Sequence, residues 1–191
     1  MRDSNLSSSA ALEKLKAGNA NFVADKLDGK LQNSARRAEL TGGQKPYAII
    51  LSCADSRVVP ELAFDSGLGE IFVIRVAGNV ANTSTIASIE YAVAHLGVNL
   101  IVVLGHQSCG AVTAALAGGD NGYNLNHLLS HVEPAKAASE DKSVDGVVKK
   151  NAEMQVAQLE ERSAIIRGAM SEGLKLVPAY YNLDSGRVDY L

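Results

Sequence analysis

Short apolar runs alternating with helical stretches predict an α/β fold: a parallel-cored β-sheet flanked by helices, with a helical arm ahead of it. Three observations carry that expectation. Tyr47-Ala48-Ile49-Ile50-Leu51 and Leu100-Ile101-Val102-Val103-Leu104 are continuous apolar runs bounded by turn residues, as strands buried on both faces are. Between and after them, strand, turn and helix patterns repeat at the spacing of crossover units. The chain returns to strand-like sequence near its end, at Leu174–Tyr180.

Taken in order, Ser7–Lys26 reads as a helix, with Leu12, Leu15, Asn19, Phe22 and Val23 at helical spacing and Ser8 or Ser9 as its cap. Gly29–Gly43 is polar and broken, a solvated arm that could also lie on a partner subunit. Tyr47–Leu51 is the first strand, and Pro60–Phe64 opens a short helix with proline in its first turn. Ile71–Val76 is the second strand. Gly78-Asn79 then turns the chain, and Thr83 or Ser84 caps a helix over Ile86–Leu96 that Gly97 ends. Leu100–Leu104 is the third strand and Cys109–Ala117 the next helix, closed by Gly118-Gly119. Asn126–Ala138 and Val144–Arg167 each read as one helix. Asp184-Ser185-Gly186 turns into a last strand over Arg187–Tyr190.

At 191 residues this predicts a single domain: an N-terminal helical arm (1–43), an α/β core (44–119), and a helical region with the C-terminal strands (120–191). The net charge of −3, with basic residues scattered singly, predicts no nucleic-acid partner. No apolar stretch approaches the roughly 20 residues that span a bilayer, so no membrane association is expected. The polar N-terminus, Met1–Ser9, lacks the apolar core of a secretory signal, which predicts a cytoplasmic protein.

The chemistry gathers at two strand ends. Cys53-Ala54-Asp55-Ser56-Arg57 follows the first strand, and His106-Gln107-Ser108-Cys109-Gly110 follows the third. The carboxyl edge of an open α/β sheet is where ligands bind. Two thiols and one imidazole are a zinc-like donor set, with Asp55 a possible fourth ligand. Competing readings are buried core cysteines, a single disulfide, and a cysteine nucleophile. The last fits badly: Cys53 to Arg57 is too short and glycine-free to wrap a phosphate, and the Gly-x-Ser-x-Gly elbow is absent around Cys109. Cys109 beside His106 at a helix start, with Cys53-x-Asp55 at a second strand end, favours the metal. His127 and His131 share a helix face, but Leu128 stands where a zinc protease has glutamate, so they read as surface or packing histidines. Asp55 can either ligate the metal or pair with Arg57, and the second arrangement leaves a coordination position for water.

Cys53-x-Asp55-x-Arg57 followed by His106-x-x-Cys109-Gly110 resembles the β-class carbonic anhydrases, from about the first helix through Gly118. The resemblance implies one Zn2+ per subunit on Cys53, His106 and Cys109, with Asp55 and Arg57 as the catalytic dyad. It implies a homodimer or homotetramer with active sites at the dimer interface and N-terminal helices embracing the neighbour. Gln44 matches the substrate-binding glutamine, Phe72 and Tyr91 match the aromatic pair lining a narrow carbon dioxide pocket, and His95 matches a proposed proton shuttle of the plant-like branch. Phe72 and Tyr91 as core residues, and His95 as a packed helix histidine, are the plainer alternatives. The other branch closes its zinc with the aspartate. It carries an inhibitory bicarbonate site with a tryptophan where this chain has Ile50; Arg75 matches that site's arginine, but the chain has no tryptophan. An open site, with Asp55 on zinc only in a closed state, is therefore expected.

The implied reaction is reversible hydration of carbon dioxide to bicarbonate and a proton by zinc-bound hydroxide. Asp55, fixed by Arg57, would aim the hydroxide, Gln44 would hold bicarbonate, and His95, Tyr91 or buffer would carry the proton. The alternatives are hydrolysis of carbonyl sulfide or carbon disulfide on the same fold, and a non-catalytic zinc-binding interaction protein.

Overall fold

The computed structural model describes residues 5–191. The first four residues of the polar N-terminus, on which the absence of a signal was argued, lie outside them. Helix α1 (Ser8–Val23) precedes a short α2 (Ser34–Glu39). The core follows as β1 (Ala48–Ser52), α3 (Pro60–Ala63), β2 (Ile71–Arg75), α4 (Thr83–His95), β3 (Leu100–His106) and α5 (Gly110–Ala117). The C-terminal part holds α6 (Tyr123–Ser130), α7 (Glu133–Ala138), α8 (Val144–Arg162), α9 (Ala164–Met170), β4 (Lys175–Tyr181) and β5 (Val188–Tyr190).

The strands form one sheet in the order β2-β1-β3-β4-β5. All pairings are parallel except β4 with β5, which is antiparallel. Every residue of β1 and β3 is buried, as expected of central strands covered on both faces. Alternate residues serve opposite faces. Ile49, Leu51, Ile101 and Val103 meet α4, α8 and α9 through Ile89, Val93, Leu159 and Ile166. Ala48, Ile50, Val102 and Leu104 meet α1 and the α3 turn through Ala11, Leu15 and Phe64. A third apolar cluster underlies the carboxyl edge of the sheet, with Cys53, Cys109, Val112, Leu129, Val132, Val147 and Val148.

The first helix is therefore cover for its own sheet. Asn19 on α1 ties it down: its Nδ2 donates to Ala63 O and Gly186 O, both at 2.9 Å, and its Oδ1 accepts from Val188 N at 2.9 Å. Gly18 lets α1 close on the main chain at Phe64, where any Cβ would collide with the carbonyl. Of the polar stretch 29–43, α2 is capped by Asn33, and Arg36 Nε donates to Leu68 O at 3.0 Å.

Several boundaries differ from the sequence expectation, each for a local reason. Ser7, not Ser8 or Ser9, caps α1, accepting from Ala10 N at 3.2 Å. Asn82, not Thr83 or Ser84, caps α4, in a reciprocal capping box with Thr85. The stretch 126–138 is two helices, because Pro134 sits in the first turn of α7, where its missing N–H is tolerated. The stretch 144–167 breaks at Ser163, whose side chain caps α9 through Ile166 N at 3.1 Å. Strand β3 runs two residues further than expected and takes His106 into the sheet.

Candidate metal centre

The two reactive stretches meet because β1 and β3 are direct neighbours in parallel register, Ser52 opposite Leu104. Cys53 leaves the end of β1, His106 is the last residue of β3, and Cys109 is the cap residue of α5. All three are buried, and their donor atoms lie within 4.8 Å of one another. Both cysteines are free, which excludes the disulfide reading.

The donor set fits a metal ion. His106 Nδ1 donates to Gln107 O at 2.8 Å, which leaves the lone pair on Nε2. That Nε2 is buried and has no hydrogen-bond partner, an arrangement that a protein rarely tolerates without a ligand. The thiols share their proton load unequally. The hydrogen bond from Cys109 pulls the Cys53 pKa down to about 4, against the effect of burial. Cys109 is pushed up, first by that same bond and then by burial. Burial works against a charged His106, but the adjacent Cys53 carries its pKa upward overall. A thiophilic cation at this point would displace these protons.

Beside the trio, Arg57 holds Asp55 in a two-pronged grip. Its Nε donates to Oδ1 at 2.9 Å and its Nη2 to Oδ2 at 2.7 Å, while the Arg57 N–H adds a third bond to Oδ1 at 2.9 Å. These bonds, led by the side-chain pair, hold the Asp55 carboxyl well below the usual carboxylate range. Asp55 Oδ2 lies 3.8 Å from His106 Nε2. The carboxylate thus faces the metal position while being bound to the arginine.

A supporting shell surrounds the trio; of its members only Arg75 stood out in the sequence, and for a different role. Arg75, at the end of β2, clamps the Cys53 loop by donating to Cys53 O at 3.0 Å and Asp55 O at 2.7 Å. Gly78 N–H donates to Cys53 Sγ at 3.4 Å. Ser108 is held at φ 53 with its N–H on Asp145 Oδ1 at 2.9 Å, and its carbonyl accepts from Arg57 Nη2 at 3.3 Å. Asn151 donates to Gly78 O at 2.9 Å and accepts from Gln155 Nε2 at 2.9 Å. Asn151 and Gln155 did carry a legible signal: two amides four residues apart, on the α8 face that also buries Val148, Ala152 and Leu159.

The other expected residues gather elsewhere. Phe72 pairs with Ile49, four residues before Cys53, which is about 13 Å back along the strand. Tyr91 packs against Phe72 with ring centroids 6.3 Å apart, and His95 against Tyr91 at 5.2 Å. Gln44 and Tyr91 line a cavity of ≈ 630 Å³ with Leu40, Leu68 and Leu96. Within one chain, Gln44, Phe72, Tyr91 and His95 thus sit on the β2 flank, and the Cys-His-Cys trio at the carboxyl edge.

Comparison with known proteins agrees with this geometry. The family model described as carbonic anhydrase matches residues 48–188. Carbonic anhydrase 2 of Mycobacterium tuberculosis is 43% identical over 186 residues, covering 93% of this chain and 90% of that protein. A tetrameric β-carbonic anhydrase from Sordaria macrospora superposes with a TM-score of 0.75 at 28% identity, covering 96% of this chain and 95% of that one. The Coccomyxa β-carbonic anhydrase, solved with acetazolamide, gives 0.74 at 29% identity, covering 96% and 85%. Sequence motif, buried donor trio and fold converge: the chain belongs to the β-carbonic anhydrases, enzymes that hydrate carbon dioxide to bicarbonate and a proton.

Proposed function

We propose that each subunit holds one zinc ion on Cys53, His106 and Cys109, and that Asp55 and Arg57 run the hydration beside it in an open site. The observation that carries this is the unpartnered Nε2 of His106, converging with two thiols, next to a carboxylate already engaged by arginine. Zinc in such a site supplies Lewis acidity, bringing the pKa of a water molecule from about 15.7 toward ~7. The chain's own groups do the rest. Asp55 Oδ2 accepts a hydrogen bond from the attacking oxygen and aims it. Arg57 fixes that carboxylate and keeps it from closing the site. Phe72 and Tyr91 exclude water around carbon dioxide, and the Gln44 amide donates to a bicarbonate oxygen. His95, one helical turn from Tyr91, takes up the departing proton.

This division of labour requires two copies. The β2 edge is unpaired among the described residues, and Leu62, Leu68 and Tyr91 lie exposed along its flank. A homodimer across that flank would bring Gln44, Phe72 and Tyr91 of one copy to the trio of the other. The Sordaria macrospora relative is tetrameric, in keeping with a dimer or a dimer of dimers here. The chain has no helix, among the described residues, long and apolar enough to cross a membrane. Relatives named as carbonic anhydrases favour carbon dioxide over carbonyl sulfide or carbon disulfide, and a catalyst over a zinc-binding interaction protein.

Stopped-flow hydration with a pH indicator, on zinc-loaded protein across pH ~6.5 to 9, tests the reading. Activity persisting toward neutral pH supports the open site. Activity confined to high pH restores an Asp55-closed site, and its absence at every pH overturns the proposal.

A further inference from the structure

Away from the metal centre, α6, α8 and the start of α4 enclose a cavity of ≈ 400 Å³ lined by Asn82, Thr83, Ser84, His127, His131 and Arg162. Its charged and titratable lining groups are His127, His131 and Arg162, and no carboxylate is among them. The two imidazoles stand edge to face with centroids 5.4 Å apart. Neither ring has a hydrogen-bond partner among the described residues, and Arg162 has no acidic partner there. On the facing wall, the Asn82 cap satisfies Thr85 N–H and leaves the N–H groups of Thr83 and Ser84, and both hydroxyls, without an acceptor among the described residues.

The frame of the cavity is fixed. Arg162 Nη1 donates to Ala81 O at 2.6 Å. Ala81 N donates to Gln155 Oε1 at 2.8 Å, and Gln155 Nε2 to His131 O at 3.2 Å. The three walls are thus cross-linked through one buried amide, and the donors are preorganised.

We infer that this cavity is a binding site for a tetrahedral oxyanion of the sulfate or phosphate type, held by Arg162, His127, His131 and the first N–H groups of α4. Three donor-bearing side chains from two helices point into a space that a third helix approaches with its positive end, and nothing in the lining neutralises them. A chelated divalent cation would use the same histidine pair, but Arg162 and the α4 terminus oppose it, and no carboxylate or thiol supplies a third ligand. Burial, with His127 and Arg162 alongside, holds the His131 pKa down. An oxyanion reverses that bias, so its binding strengthens as pH falls through the imidazole range.

The chain has four histidines, which makes the test direct. The zinc-loaded protein is titrated with sulfate, whose charge is fixed over this range, at constant ionic strength made up with sodium chloride. The ring signals of all four histidines are followed by NMR at pH 6 and pH 8. The expected result is a saturable shift of His127 and His131 alone, at least threefold tighter at pH 6. Arg162→Gln should weaken it tenfold or more. Should that variant misfold, His127→Ala, on an exposed position, should do the same to the His131 signal. Overturning results are a shift no larger than chloride produces, shifts confined to His106, or saturation by Ni2+ alone with no response to sulfate.

Discussion

Removing the Asn151 side chain should unsettle the metal centre from beneath. The Asn151→Ala change strips Gly78 O of its donor and Gln155 Nε2 of one of its two acceptors, at a position that is wholly buried. Gln155 keeps its bond to His131 O, so the carbonyl of Gly78 is the group left bare. An unsatisfied buried polar group costs about 1–3 kcal/mol. The lost side-chain volume adds about 1 kcal/mol more. The sum, about 2–4 kcal/mol, lowers the melting temperature by roughly 5–15 °C for a chain of this size. Because the same glycine donates to Cys53 Sγ, the variant should also lose zinc faster to a chelator than the parent. Thermal melts of zinc-loaded and zinc-free protein, with metal release followed by a colorimetric chelator, measure both effects. A melting temperature within about 2 °C of the parent would refute the reasoning, since no buried carbonyl could then have been orphaned.

Arg57→Ala should keep its zinc by elemental analysis yet lose about 10²–10³ in kcat, the scale of losing one preorganised group at a reacting oxygen; parental activity would remove the dyad from the mechanism. Cys53→Ala and His106→Ala should each lose metal and activity together, and metal retained at parental stoichiometry in either would exclude that residue as a ligand. In metal-free protein the hydrogen bond from Cys109 lowers the Cys53 pKa, so thiolate ultraviolet absorbance should appear at a lower pH than a free cysteine gives, and Cys53→Ser should shift that onset upward. Asp55 is depressed by Arg57, so the pair's stabilisation is complete above the unfolded carboxylate value of ~3.9 and is lost as pH falls through the lower folded value. The acid-unfolding midpoint of metal-free Arg57→Ala should therefore move to higher pH.

The strand ends were readable because central parallel strands are apolar throughout, so Ile49–Leu51 and Leu100–Leu104 mark themselves. Their adjacency was not readable, because the order β2-β1-β3-β4-β5 depends on crossovers that no local pattern encodes. Cap residues slipped by one position wherever neighbouring Ser, Thr or Asn offered equivalent oxygens, as at Ser7 and Asn82. The donor trio carried its own chemistry in residue type. The shell that holds it was less legible: Arg75 resembled an arginine of a different site, Asp145 sits where an aspartate is unremarkable, and Asn151 marked itself only as an amide four residues from Gln155 on one helix face.

Cys53 follows the end of β1 and His106 ends the neighbouring β3, so the trio is complete only once these two strands have docked. No segment of the unfolded chain can offer the trio in advance, since β1 and β3 must first dock around the intervening β2 and α4. A zinc ion on the trio would act as a rivet between the sheet's two innermost members. Because all three donors are buried, its release to a chelator would track how often that edge opens.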